Sequence, residues 1–132
     1  MQINIVRRKI LGFGVLALVS PHILQILARD ELRLENARLI IELHIGQVFT
    51  DLAAAIAIGH KYFEKFPDEA TRERLSALVT DNIEVFTAEE FYSLYEKKMN
   101  SDYLNSDLVF IDGWYLTRTE ARMCAFACFI NS

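Results

Sequence analysis

The side chains best suited to bind a metal ion are scattered along the sequence. His60 and Glu64 stand one helical turn apart, and Glu42 and His44 lie further upstream. Neither pair matches the His-Glu-x-x-His or paired Glu-x-x-His spacing with which helices hold zinc or two iron ions. The sequence therefore predicts no metal centre and no cofactor. A self-contained helical protein that binds a ligand or a metal ion through these residues is kept as the alternative function.

The two cysteines, Cys124 and Cys128, lie four residues apart near the end of the chain. This spacing places both cysteines on one face of a helix, where their geometry suits a disulfide poorly. Two thiolates supply only half of the ligands of a structural zinc site. Their neighbours are mostly apolar, so we expect buried, reduced thiols. In an oxidising compartment the alternative is a bridge formed after local distortion of the helix.

No pattern for nucleophilic catalysis or phosphate binding is present. None of the serines lies in a Gly-x-Ser-x-Gly elbow, and the glycines form no phosphate-binding loop. The carboxylates between residues 89 and 102 are explained by a solvated helix face. These observations favour a non-catalytic protein over an enzyme.

The start of the chain is basic and then strongly apolar. Arg7 and Arg8 are followed by Ile10 and Leu11 and by an apolar run over residues 13–19. This arrangement resembles bacterial twin-arginine signal peptides, whose pattern is Ser/Thr-Arg-Arg-x-Phe-Leu-Lys. Isoleucine stands in place of the usual phenylalanine, and Val6 and Gly12 depart from the pattern at its two ends. An amphipathic first helix with a basic start is the alternative interpretation.

The proposed signal segment has a predicted end. Pro21 should interrupt a helix, the first acidic residue is Asp30, and the small residue Ala28 suits a cleavage site. We therefore divide the chain into a signal segment, 1–28, and a single helical domain, 29–132. If the signal is not cleaved, it would tether the protein to the membrane.

The resemblance has consequences for localisation and partners. Twin-arginine translocases export proteins that are already folded, often together with a bound partner. The resemblance therefore implies recognition by that translocase and a periplasmic or exported location. A small passenger without a cofactor motif would supply the signal for a larger protein.

Composition limits the partners further. The chain has 132 residues, of which 52% are hydrophobic, enough for the core of one domain. Three of its 14 basic residues and none of its 18 acidic ones lie in residues 1–28. The rest thus has eleven basic and 18 acidic residues, a net charge of −7. This negative charge disfavours binding to nucleic acid and to anionic lipid. We therefore expect the protein to contact the membrane only through the signal segment.

Hydrophobic periodicity and capping residues predict a mainly α fold of four to five helices with one short hairpin. The predicted helices cover about 30–43, 51–66, 68–79, 87–103 and 118–130. The last two begin at predicted capping boxes, at Thr87 and Thr117. The hairpin is predicted from two short strands, Leu108 to Ile111 and Trp114 to Leu116, that are joined by an Asp112-Gly113 turn.

An isolated hairpin is marginally stable, so we expect Trp114 to pack it against the helices. Thr117 and Glu120 should form the capping box of the last helix. The segment from Gly113 to Glu120 also resembles the Gly-Trp-x-Leu-Ser/Thr-x-Thr-Glu ending of a group of small bacterial twin-arginine-signal proteins. That group has no assigned reaction, so the resemblance implies localisation and fold alone.

Aromatic residues are dense in the last third of the chain. Most should be core, but Tyr92, Tyr95 and Tyr115 are candidate anchors for a protein partner. We therefore expect an exported, non-catalytic accessory subunit or export escort of a larger periplasmic partner. A redox enzyme is the partner favoured by the export route.

Overall fold

A computed structural model describes residues 21–130, with side chains between residues 21 and 34 described at Gln25 and Leu32 alone. The export-signal residues Arg7, Arg8, Ile10 and Leu11, and the side chain of Ala28, lie outside this description. The chain forms two compact units, 1–32 and 33–132, and the hydrophobic core lies in the second.

The described residues form five α-helices and one β-hairpin, which confirms the predicted fold class. In chain order these elements are α1 (Pro21–Val48), α2 (Leu52–Lys65), α3 (Arg72–Thr80), α4 (Ala88–Leu104), β1 (Leu108–Ile111), β2 (Trp114–Thr117) and α5 (Arg118–Ala127). A 3-10 turn, Pro67–Glu69, joins α2 to α3. None of the described helices has the length and apolar composition needed to cross a membrane.

The first helix is longer than predicted at both ends. It begins at Pro21, a residue tolerated in a first helical turn, whereas the sequence predicted a start near residue 30. It also continues through Gly46 to Val48. Buried Ala37, Ile41 and Ile45 recur every four residues, and this packing stripe outweighs the low helix propensity of glycine.

Side-chain caps define the other helix starts. Asp51 Oδ1 accepts from the N–H of Ala54 at 3.0 Å, and Thr87 Oγ1 accepts from that of Glu90 at 3.1 Å. The predicted start of the third helix near residue 68 is wrong, since Thr71 Oγ1 accepts from Arg74 N at 3.1 Å and α3 begins after it.

The last helix has the predicted capping box. The side chain of Thr117 accepts from the N–H of Glu120, and Glu120 Oε2 accepts from the N–H of Thr117 at 2.8 Å. The roles assigned to these two residues from sequence are confirmed.

The core is built around α5. Its buried residues include Ala121, Met123 and Phe126, and the helix packs on α2, α3 and α4. Where α5 crosses α2, a Cβ atom at Gly59 would lie 2.3 Å from the carbonyl oxygen of Cys124, closer than atoms can approach. Glycine is therefore required there, and the apolar α5 is covered by the protein's own helices.

The hairpin packs inward through aliphatic side chains, and the expectation that Trp114 would hold it is wrong. Val109 and Ile111 alternate on β1 and are buried, whereas Trp114 is 62% exposed. Trp114 pairs with Ile111 next to the turn, at the end of the hairpin. The turn itself is as predicted, with Asp112 and Gly113 both at positive φ.

Candidate partner-binding surface

The outer face of the hairpin is unusually apolar for an exposed surface. Phe110 pairs with Tyr115 across the two strands, so both side chains lie on one face, and their rings are 4.8 Å apart. Leu108 shares this face because it lies two residues before Phe110. These residues, together with exposed Trp114, which lies next to the turn on the opposite face of β2, are named the hairpin surface. Exposed apolar side chains that cluster in this way mark interaction sites.

Hydrogen bonds to residues of α2 and α5 hold the hairpin that carries this surface. Lys65 Nζ, at the end of α2, donates to the carbonyl oxygen of Phe110 at 2.9 Å. At the open end of the hairpin, the N–H of Arg118 donates to the carbonyl oxygen of Asp107 at 3.0 Å. The β-strands are therefore fastened to helices at both ends, although a two-stranded sheet alone is marginally stable.

A buried ionic cluster lies where β2 runs into α5. The carboxylate of Glu69 accepts from Arg118 Nη2 at 2.7 Å, from Arg122 Nε at 2.9 Å and from the hydroxyl of Tyr62 at 2.7 Å. Arg118 Nε in turn donates to the Tyr62 hydroxyl oxygen at 2.7 Å, and its guanidinium stacks 3.9 Å above the ring of Phe66. The cluster joins α2, the 3-10 turn and α5.

The protonation states in this cluster are fixed across the ordinary pH range. Burial would raise the pKa of Glu69, but hydrogen bonds from Arg122, Tyr62 and Arg118 outweigh it and lower the pKa to about 2. Burial and the hydrogen bond to Glu69 raise the pKa of Tyr62 to about 12. Neither group is suited to exchange protons near neutral pH, so the cluster serves to position β2 and α5.

A second polar contact fixes the start of α5 on α4. Asp102 Oδ2 accepts from the N–H of Thr119 at 2.7 Å and from its hydroxyl at 2.6 Å. The carboxylate thus satisfies a free N–H group of the first helical turn, where negative charge is also favoured.

The three tyrosines proposed as anchors have different environments. Tyr115 is 75% exposed on the hairpin surface and remains a candidate. Tyr92 is half-buried, and its hydroxyl donates to Gln47 Oε1 at 2.9 Å. Tyr95 is only 6% exposed, so its assignment as an anchor is wrong. It lies on the same side of α4 as Phe91, whose ring it meets edge-on at 5.9 Å.

The candidate metal ligands do not converge. Within residues 21–130, no group of three or more histidine, cysteine, aspartate or glutamate side chains could hold a metal ion. His60 is exposed on α2, and half-buried His44 packs against the ring of Tyr92. An apolar groove of about 430 Å³ lies near this ring, lined by Gln47, Val48, Tyr92, Tyr95, Glu96 and Met99.

Both cysteines are free thiols, as expected from their spacing. Cys124 is buried, and burial raises the pKa of its thiol to about 12. Cys128 is half-buried, and its Sγ donates weakly to the carbonyl oxygen of Ile56 at 3.3 Å. A thiol held this way in contact with α2 is poorly placed for reaction.

Sequence reasoning missed the residues that position the hairpin surface. Glu69 and Arg122 were given no role in any site, and Asp102 was assigned to a solvated helix face. Phe110 belonged to the aromatic set of which most members were expected in the core, although its alternation with Val109 and Ile111 could have identified it as outward-facing.

Comparisons of the chain with known protein families, curated proteins and solved structures find no match.

Proposed function

We propose that this chain is an exported, non-catalytic accessory subunit or escort that binds a larger protein through the hairpin surface. The observation that supports this proposal is the exposure of Phe110, Trp114 and Tyr115 on a hairpin that is fixed to the helices behind it. Export rests on the arginine pair Arg7 and Arg8. The export route favours a periplasmic partner of the redox class.

The hairpin surface has the properties of a binding anchor. Tyrosine and tryptophan bring a large contact area with few rotatable bonds, and they dominate binding energy at protein interfaces. Because Lys65 and Arg118 already hold the hairpin, little backbone entropy remains to be lost on binding. A partner that covers this surface gains apolar burial at a small ordering cost.

Export is tested by fractionating cells that produce the full chain. We expect the wild type in the periplasm and the double variant Arg7→Lys, Arg8→Lys in the cytoplasm. Arg74→Lys is a matched control, because the same exchange at an exposed position of α3 should leave export unchanged. An unchanged distribution of the double variant would refute the export role.

Partner binding is tested by affinity purification of the tagged chain from the source organism. We expect one larger protein in stoichiometric amount with the wild type and its loss with Phe110→Ser, Tyr115→Ser. The control is Phe86→Ser. Phe86 is also exposed, but it lies before α4 and outside the hairpin surface. If all three proteins recover the same partner, the hairpin surface is not the binding site.

The alternative, a ligand or metal binder, makes a different prediction. Elemental analysis of the purified chain would then find stoichiometric zinc, iron or copper, and substitution of His44 or His60 would remove it. Bound metal without any protein partner would replace the accessory role with this one.

A further inference from the structure

The register of the hairpin decides which backbone groups point away from it. Ile111 and Trp114 flank the two-residue turn and form a hydrogen-bonded pair, so the next pair, Phe110 and Tyr115, is not hydrogen-bonded across the strands. The N–H and C=O groups of Phe110 and Tyr115 therefore point outward from the two edges. The bond from Lys65 Nζ to the Phe110 carbonyl agrees with this register.

At the Phe110–Tyr115 pair, the two edges differ in how they are covered. On the β1 edge, Lys65 of α2 occupies the outward carbonyl of Phe110. On the β2 edge, the N–H of Thr117 is occupied by Glu120 Oε2. No hydrogen bond from elsewhere in the described part of the chain reaches the backbone of Tyr115, whose residue is 75% exposed. The β2 edge thus presents one donor and one acceptor beside an aromatic side chain.

We propose that an extended segment of the partner adds to the hairpin as a third strand along β2, hydrogen-bonded to the backbone of Tyr115. This inference rests on the proposed function and specifies how the partner is held. A third strand would satisfy both free backbone groups and turn a two-stranded sheet into a more stable three-stranded one. It would also cover the exposed ring of Tyr115.

Charge and side-chain pattern define the partner segment. The carboxylates of Asp107 and Asp112 lie at opposite ends of β1 and are exposed, while Lys65 and Arg118 nearby are engaged in hydrogen bonds. The segment should therefore have apolar residues at alternate positions against the Tyr115 face and a basic residue beyond them. A second copy fits less well, because its hairpin carries the same exposed aspartates and each chain has a net charge of −4.

Hydrogen exchange of the complex tests this mode directly. The probe is the partner recovered with the full chain, compared with the full chain alone. We expect the amide of Tyr115 to exchange at least tenfold more slowly in the complex, while the amide of Phe110, on the other edge, changes little. Equal exchange of the Tyr115 amide with and without the partner overturns the inference.

Two substitutions separate the backbone of Tyr115 from its side chain. Tyr115→Ala removes the ring and keeps the N–H, whereas Tyr115→Pro removes both, and the hairpin does not use that N–H. We expect the proline variant to bind the partner at least tenfold more weakly than the alanine variant. Circular dichroism confirms that each variant is folded, and equal affinity of two folded variants overturns the inference.

The possible failures are distinguishable. Recovery of no partner refutes the proposed function and the third strand together. Recovery of a partner with no protection of Tyr115 refutes the third strand alone. A dimer of the purified chain with a protected Tyr115 amide would show that a second copy occupies the edge and would also refute the inference.

Discussion

Glu69 and Arg118 are 49 residues apart in sequence and form a partly buried ion pair of 2.7 Å between Oε2 and Nη2. The pair fastens the 3-10 turn after α2 to the residue that immediately follows β2. Since Arg122 also binds this carboxylate, Glu69 is the centre on which the position of the hairpin depends.

Loss of this charge should be costly. Glu69→Gln leaves two partly buried guanidinium groups without a counter-charge, and we expect the free energy of unfolding to fall by about 3–5 kcal/mol. Urea denaturation of the wild type and the variant measures this difference in the free energy of unfolding. Glu64→Gln is the control, because Glu64 is exposed and its ion pair with Lys61 spans 3.9 Å, so a change within about 0.5 kcal/mol is expected there. Equal losses would contradict the central role of Glu69.

Acid should weaken the protein in a defined range. The pKa of Glu69 is lowered from 4.5 to about 2 in the folded state, so its contribution to stability is complete above 4.5 and is lost as the pH falls toward 2. We expect the melting temperature of the wild type to fall across this range. The slope should be shallower in Glu69→Gln, and parallel curves for the two proteins would show that other groups dominate acid unfolding.

The crossing of α2 and α5 depends on the absence of a side chain at Gly59. Gly59→Ala places a methyl group against the Cys124 backbone, and we expect a loss of at least about 2 kcal/mol despite the better helix propensity of alanine. Gly46→Ala is matched, because no atom lies within 4 Å of its added Cβ, and it should raise stability by about 0.5–1 kcal/mol. Thermal unfolding of both variants decides whether this close approach exists.

The hairpin should lose stability through its aliphatic residues and not through its tryptophan. Ile111→Ala removes a buried side chain and should cost about 2–5 kcal/mol, whereas Trp114→Ala should change stability by less than about 0.5 kcal/mol. Denaturant titration compares the two. A large loss for Trp114→Ala would mean that the indole packs against the helices after all.

The thiols should react in order of their burial. With a thiol reagent at neutral pH, we expect Cys128 to be labelled slowly and Cys124 only after unfolding, because burial raises the pKa of both thiols. Mass spectrometry of native protein and of the Cys128→Ser variant assigns the site. Rapid labelling of Cys124 would show that α5 opens readily from the core.

The sequence by itself determined the elements that depend on neighbours along the chain. Helix periodicity, the capping residues Thr87 and Thr117, and the Asp112-Gly113 turn all act over three or four residues. For that reason the helical class, the hairpin and the capping box of α5 were predicted correctly. The export signal and the partner remain predictions from the same sequence.

Only the tertiary structure decided which side chains are buried and which are free. Tyr95 and Trp114 are both large aromatic residues in apolar surroundings, yet one is in the core and the other exposed, because helix packing determines which part of each element is covered. Likewise, Glu69 meets Arg118 and Arg122 only through the folding of α2 onto α5. Contacts between residues so far apart produce no recognisable pattern along the sequence. For this reason, the residues that hold the hairpin surface in place could not be predicted from the sequence.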